Sequence, residues 1–97
     1  MQRVFQALAD ENRRKILKVL QGGALPAGEV ASFLPIGKAA LSHHLAVLKA
    51  ADLVRCERRG QQRVYSLNTS ALEDFAAWVL DLKGEPEVAV KPKGSTS

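Results

Sequence analysis

The chain has 97 residues, about one domain's worth, with 14 Lys+Arg against 10 Asp+Glu and a formal net charge of +4. With 46% hydrophobic and 25% charged residues, its composition is that of a folded globular domain rather than a disordered chain. No apolar run nears the roughly 18 residues of a membrane span, residues 1–10 lack a signal-peptide core, and a single cysteine excludes a disulfide framework or Cys-rich zinc module, so a small cytoplasmic domain is expected.

Residues 1–8 read as a short amphipathic helix with Val4, Phe5 and Leu8 on one face. Asp10 is a candidate N-cap for a second helix, and Glu11 adds negative charge at its positive end. Ile16, Leu17 and Leu20 supply the core stripe of that helix, and Gly22-Gly23 ends it. A third, short helix fits residues 27–33, with Pro26 near its first turn. Pro35 stops it by pushing Leu34 away from the helical region. A turn of Pro35, Ile36 and Gly37 leads into a fourth helix over 38–51, which completes a helix-turn-helix pattern. Two β-like runs follow, 53–57 and 63–67, joined as a hairpin through Arg58 to Gln62. Asn68 or Thr69 caps a last helix that runs to about residue 82. The fold class is therefore mainly α with a small β-hairpin (α+β), a winged helix-turn-helix of order α-α-α-α-β-β-α. Residues 1–83 are expected to form one winged helix-turn-helix domain, and residues 84–97, rich in Gly, Pro and Ser, read as a flexible C-terminal tail.

Charge concentrates in the middle of the chain. Residues 38–63 hold six cations against two acids, whereas residues 64–97 hold three against five. That balance points towards a polyanion. On the fourth helix, Leu41, Leu45 and Leu48 mark the core face. Lys38, Ala39, Ser42, His43, Ala46 and Lys49 share an arc of roughly 140°. Small residues there admit a groove floor, while Ser and His can donate to phosphates or base edges. A plain solvated face is the competing reading, and the helix-turn-helix context weighs against it. The hairpin tip, with Arg58, Arg59, Gln61 and Arg63, suits phosphate and minor-groove contacts.

Adjacent His43 and His44 point about 100° apart and cannot share one ion from a regular helix, so no metal and no cofactor are expected. His44 lies on the flank nearer the leucines and is expected to be packed and hydrogen-bonded. Cys56 shares strand parity with Val54, faces inward and reads as packing rather than a redox centre. On the last helix, apolar residues from Leu72 to Leu82 cover an arc of about 200°, about twice what a small monomer needs. Leu72, Phe75, Trp78, Val79 and Leu82, with Val4, Phe5 and Leu8, are the expected homodimer interface. A larger intramolecular core is the competing reading.

Asp10-Glu11-Asn12-Arg13-Arg14-Lys15-Ile16-Leu17 resembles the "D-P-T-R-R-x-I-L" opening of ArsR/SmtB-type winged-helix repressors. Gly28-Glu29-Val30-Ala31, Ala40-Leu41-Ser42-His43-His44-Leu45 with Leu48-Lys49, Asp52-Leu53-Val54 and Gly60 to Leu67 follow in the family's order, so the resemblance covers residues 1–82. It implies a homodimer formed through the first and last helices, the fourth helix in the major groove and the hairpin as wing. Its DNA-contacting positions match Lys38, Ala39, Ser42 and His43. Ala39 replaces the usual hydroxyl, which favours a thymine-methyl contact. The thiol pair of the arsenic and cadmium sensors, the last-helix ligands of the zinc and nickel sensors and the paired cysteines of the redox branch are all missing. The chain is most similar to the SdpR-like autorepressor branch.

The expected function is a homodimeric DNA-binding transcriptional repressor with a double-stranded, inverted-repeat operator as partner. The alternatives are a winged-helix protein-interaction module or a thiol-responsive regulator with weak DNA binding. An enzyme is disfavoured, because no nucleophile–base pair, paired carboxylates or Gly-rich phosphate loop is found.

Overall fold

The computed structural model describes residues 1–84. The expected tail over 84–97 lies outside the described residues from position 85 onward. In chain order the elements are α1 (Gln2–Leu8), α2 (Glu11–Leu20), β1 (Leu25–Pro26), α3 (Ala27–Ala31), α4 (Lys38–Ala50), β2 (Val54–Arg59), β3 (Gln62–Leu67) and α5 (Thr69–Lys83).

Asp10 caps α2 as its side-chain chemistry requires, since its Oδ1 accepts the Arg13 backbone N–H at 3.1 Å. Arg13 and Arg14 then donate to carbonyls at the end of α1, namely those of Gln6, Ala7 and Leu8. Much of the basic charge in the first third therefore closes a helix terminus rather than facing a partner.

Ile16 and Leu20 of α2, Val30 of α3, Leu41, Leu45 and Leu48 of α4, and Leu53, Val54 and Tyr65 of the hairpin close one core. The exit from α4 is a Schellman motif. The Asp52 N–H bonds the Lys49 carbonyl at 2.9 Å and the Leu53 N–H bonds the Leu48 carbonyl at 3.0 Å, with Asp52 at φ 62°. Leu48 and Leu53, the apolar pair that accompanies this cap, are both fully buried.

Three features differ from the sequence reading. The hairpin gains a third strand, so the sheet order is β1-β3-β2, with Leu25 opposite Tyr65 and Pro26 opposite Val64. A two-residue strand is too short to show an alternating pattern, and Pro26 is tolerated because β1 is an edge. Helix α3 ends at Ala31, two residues early. Ser32 folds its hydroxyl back onto the Glu29 carbonyl at 2.6 Å, and Phe33 and Leu34 continue in tight turns that lengthen the connection to α4. The hairpin loop shrinks from five residues to Gly60-Gln61, because β2 and β3 pair out to Arg59 and Gln62. Gly60 sits at φ 61°, the first-position geometry that a two-residue II′ turn demands.

Candidate nucleic-acid interface

Helix α4 buries Leu41, Leu45 and Leu48 and leaves Lys38, Ala39, Ser42, His43, Ala46 and Lys49 exposed, as 3.6-residue periodicity dictates. Gly37 precedes the helix and offers no side-chain cap, so the first-turn N–H groups stay open beside Lys38. An open helix N-terminus with an adjacent cation is suited to a phosphate.

The wing packs beside this face. Ala27, Leu41, Ser42, Leu45, Ala46 and Lys49 face Arg63 and Tyr65 across a groove of about 380 Å³. Lys49 and Arg63 thus bring two cations from different elements to one concave surface, which Ser42 also lines. Tyr65, which the sequence reading did not place here, lines the same groove. Burial first, and then the neighbouring Cys56 side chain, hold the Tyr65 phenol above its ordinary pKa, while Arg63 opposes the shift. Its strand parity with Arg63 is the signal that could have found it.

The three wing arginines are not equivalent. Arg58 is opposite Arg63 in the β2–β3 register, and both are exposed. The Arg59 Nε instead donates to Glu57 Oε1 at 2.6 Å. Gln61 lies exposed at the hairpin turn, beside Gly60. Cys56 is half-buried and packs against the core opposite Tyr65.

Helix α5 has no buried residue. Leu72 and Phe75 are half-buried, while Trp78, Val79, Leu80 and Leu82 are exposed by 40%, 43%, 64% and 67%. Phe5 of α1 meets Trp78 edge-on at 5.3 Å and Phe75 at 5.9 Å. Val4 and Leu8 pack partly against the core. The structure thus joins α1 and α5 in one apolar surface, and Leu80, absent from the expected interface set, is among its most exposed members.

Among the described residues, no group of three or more His, Cys, Asp or Glu side chains is arranged to hold a metal ion. No described helix is long and apolar enough to cross a membrane.

A helix-turn-helix followed by a basic wing, with an open-ended helix bordering the wing groove, defines a winged-helix DNA-binding domain. The comparisons agree. A helix-turn-helix domain family matches residues 8–57. The transcriptional repressor SdpR of Bacillus subtilis is 43% identical over 90 residues, which covers 91% of this chain and 100% of that protein. The HTH-type transcriptional regulator Rv2034 of Mycobacterium tuberculosis is 49% identical over 71 residues, 72% of this chain and 65% of that one. Among solved structures, an ArsR-like transcriptional regulator from Rhodococcus matches with a TM-score of 0.75 at 31% identity, over 84% of this chain and 76% of its own. The chain belongs to the ArsR/SmtB family of winged-helix, DNA-binding transcriptional regulators.

Proposed function

We propose that the protein is a homodimeric repressor that binds an inverted-repeat operator through α4 and the wing, acting in the cytoplasm. The observation that carries this reading is the groove between α4 and β3, where Ser42, Lys49 and Arg63 converge. Lys38 anchors the start of α4 to phosphate, and Ser42 and His43 read base edges, with Ala39 against a thymine methyl. Arg58, Arg63 and Gln61 hold the backbone beside the wing, and Arg59 joins them only at the cost of its bond to Glu57. The 43% identity to a repressor supports the direction of regulation.

The exposed α1–α5 surface supports the dimer reading. Four large side chains between Trp78 and Leu82 are at least 40% exposed, and a second copy of the same face covers them most simply. Two recognition helices related by a two-fold axis require half-sites about one helical turn, or a multiple of it, apart. Selection of binding sites from random duplexes tests this. The expected product is a palindromic consensus; recovery of a single unrepeated half-site, or of no consensus, contradicts it.

A further inference from the structure

Arg13 bonds in three places at once. Its Nε donates to the Ala7 carbonyl at 2.9 Å and its Nη2 to the Gln6 carbonyl at 2.9 Å, both at the end of α1, while Nη1 lies 3.2 Å from His44 Nδ1 on α4. The Arg13 backbone N–H is held by Asp10 Oδ1, and that oxygen stands 4.0 Å from His44 Nδ1. The His44 side chain is only 12% exposed, whereas its neighbour His43 is exposed on the DNA-facing arc. One guanidinium therefore pins α1, the start of α2 and the middle of α4. The leucines of α4 set its distance from the core, but apolar contacts are non-directional and resist rotation about the helix axis weakly. A directional bond to a nearly buried ring supplies that resistance.

A guanidinium has no acceptor, so its bond to His44 needs a lone pair on Nδ1, with the ring proton on Nε2. Protonation replaces that lone pair with an N–H facing a permanent cation at 3.2 Å, closer than the Asp10 carboxylate at 4.0 Å, so the Arg13 bond is lost. The charged and titratable groups that face the ring are Arg13 and Asp10 from the α1–α2 corner and His43 from its own helix, whose ring centroid is 5.7 Å away.

We propose that His44 is a positioning residue for DNA recognition: by accepting the Arg13 hydrogen bond at Nδ1 it fixes the rotation of α4 against the α1–α2 corner, and it releases that hold when its ring is protonated. The inference rests on the reading of α4 as the recognition helix. Since α1 also belongs to the apolar surface shared with α5, the same bond ties the recognition helix to the dimer face.

The test compares the full-length wild type with His44→Asn and His44→Leu. The Asn Oδ1 falls near the position of Nδ1 and accepts from Arg13 at any pH, whereas Leu fills the space without an acceptor. The probes are a duplex selected from a random pool by the wild type at about pH 7.5 and its scrambled counterpart. At that pH, H44N keeps the selected-duplex affinity within about twofold, and H44L loses about tenfold, the worth of one charge-assisted bond. Scrambled-duplex affinity stays within about twofold for both. On acidification the ratio of wild-type to H44N affinity falls, by up to about tenfold once the His44 ring carries a second proton, because H44N keeps its acceptor at any pH. His43 is present in both proteins and cancels in that ratio. A ratio flat across pH, or an H44L protein that binds like the wild type, overturns the proposal. If H44L does not fold, the H44N ratio decides alone. Nitrogen-15 NMR of the DNA-free protein separates this inference from the recognition reading. It should show the His44 proton on Nε2 at neutral pH and α4 amide shifts that follow His44 protonation. A proton on Nδ1 overturns the proposal even where a consensus duplex is recovered, while failure to select any duplex indicts the recognition reading and leaves the NMR result to judge His44.

Discussion

Arg58 and Arg63 stand directly opposite each other across the wing, partners in the β2–β3 register. Like charges so placed destabilise a sheet by a few tenths of a kcal/mol to about 1 kcal/mol, and the phosphate backbone of a duplex relieves that repulsion. Arg58→Thr, which keeps a good strand former, should leave the free protein as stable as the wild type or up to about 0.5 kcal/mol more so. It should also weaken binding to every duplex alike and reduce the salt slope by about 1. Arg59→Thr should change the slope less, because Glu57 already neutralises that guanidinium. Anisotropy titrations over a salt series check this; an equal loss of slope for both variants contradicts it.

Trp78 meets Phe5 edge-on at 5.3 Å and remains 40% exposed. A charge placed there is buried on association, so Trp78→Glu should raise the dimer dissociation constant by about 30-fold or more, the scale of an aromatic hot spot. Sedimentation at micromolar concentration should find a dimeric wild type and a monomeric variant with intact helicity. A variant that stays dimeric places the interface elsewhere.

Asn68, a buried polar residue, joins wing and α5. Its backbone N–H bonds the Leu53 carbonyl at 2.9 Å, its Nδ2 donates to the Asp52 carbonyl at 2.8 Å, and its Oδ1 accepts from Arg55 at 3.3 Å. Asn68→Ala should cost about 1–3 kcal/mol in urea unfolding, since it strands a carbonyl at the turn. A loss within about 0.3 kcal/mol would mean that water replaces the amide there without cost.

The Arg13 backbone N–H holds the Asp10 carboxyl below its ordinary pKa; partial burial opposes this, and the charges of His44 and Arg13 add to the lowering. A depressed carboxylate stabilises the fold above its unfolded-state pKa of about 3.9 and loses that effect as pH falls through the folded value. Asp10→Ala should therefore lower the Tm at neutral pH, with a gap to the wild type that narrows below about pH 4. A gap that is constant down to about pH 2.5 refutes the charge contribution.

Much of this molecule is legible in its residue pattern because the signals are local and periodic. Leu41, Leu45 and Leu48 fix the face of α4, Asp10 announces the start of α2, and the apolar breadth from Leu72 to Leu82 marks a surface left over after the monomer has folded. The features that escaped are non-local or very short. The Leu25-Pro26 strand exists only because β3 offers it an edge, and the extension of the wing to Arg59 depends on pairing with Gln62. The division of labour among Arg58, Arg59 and Arg63 turns on one Glu57 contact, and the bond from Arg13 to His44 spans 31 positions in the chain. Composition carries no record of such pairings.

In the proposed function the Ser42–His43 face of α4 chooses the operator. Its most direct test is titration of Ser42→Ala and His43→Ala against the selected duplex and a scrambled one at fixed salt. Loss of a good base contact should cost about 1–3 kcal/mol of discrimination, or roughly five- to 150-fold in specific binding. The Ser42→Ala protein should hold its scrambled-duplex affinity, since it loses no charge. If both variants keep the wild-type preference within about twofold, far below a base contact's worth, α4 does not read the sequence and the recognition surface lies elsewhere.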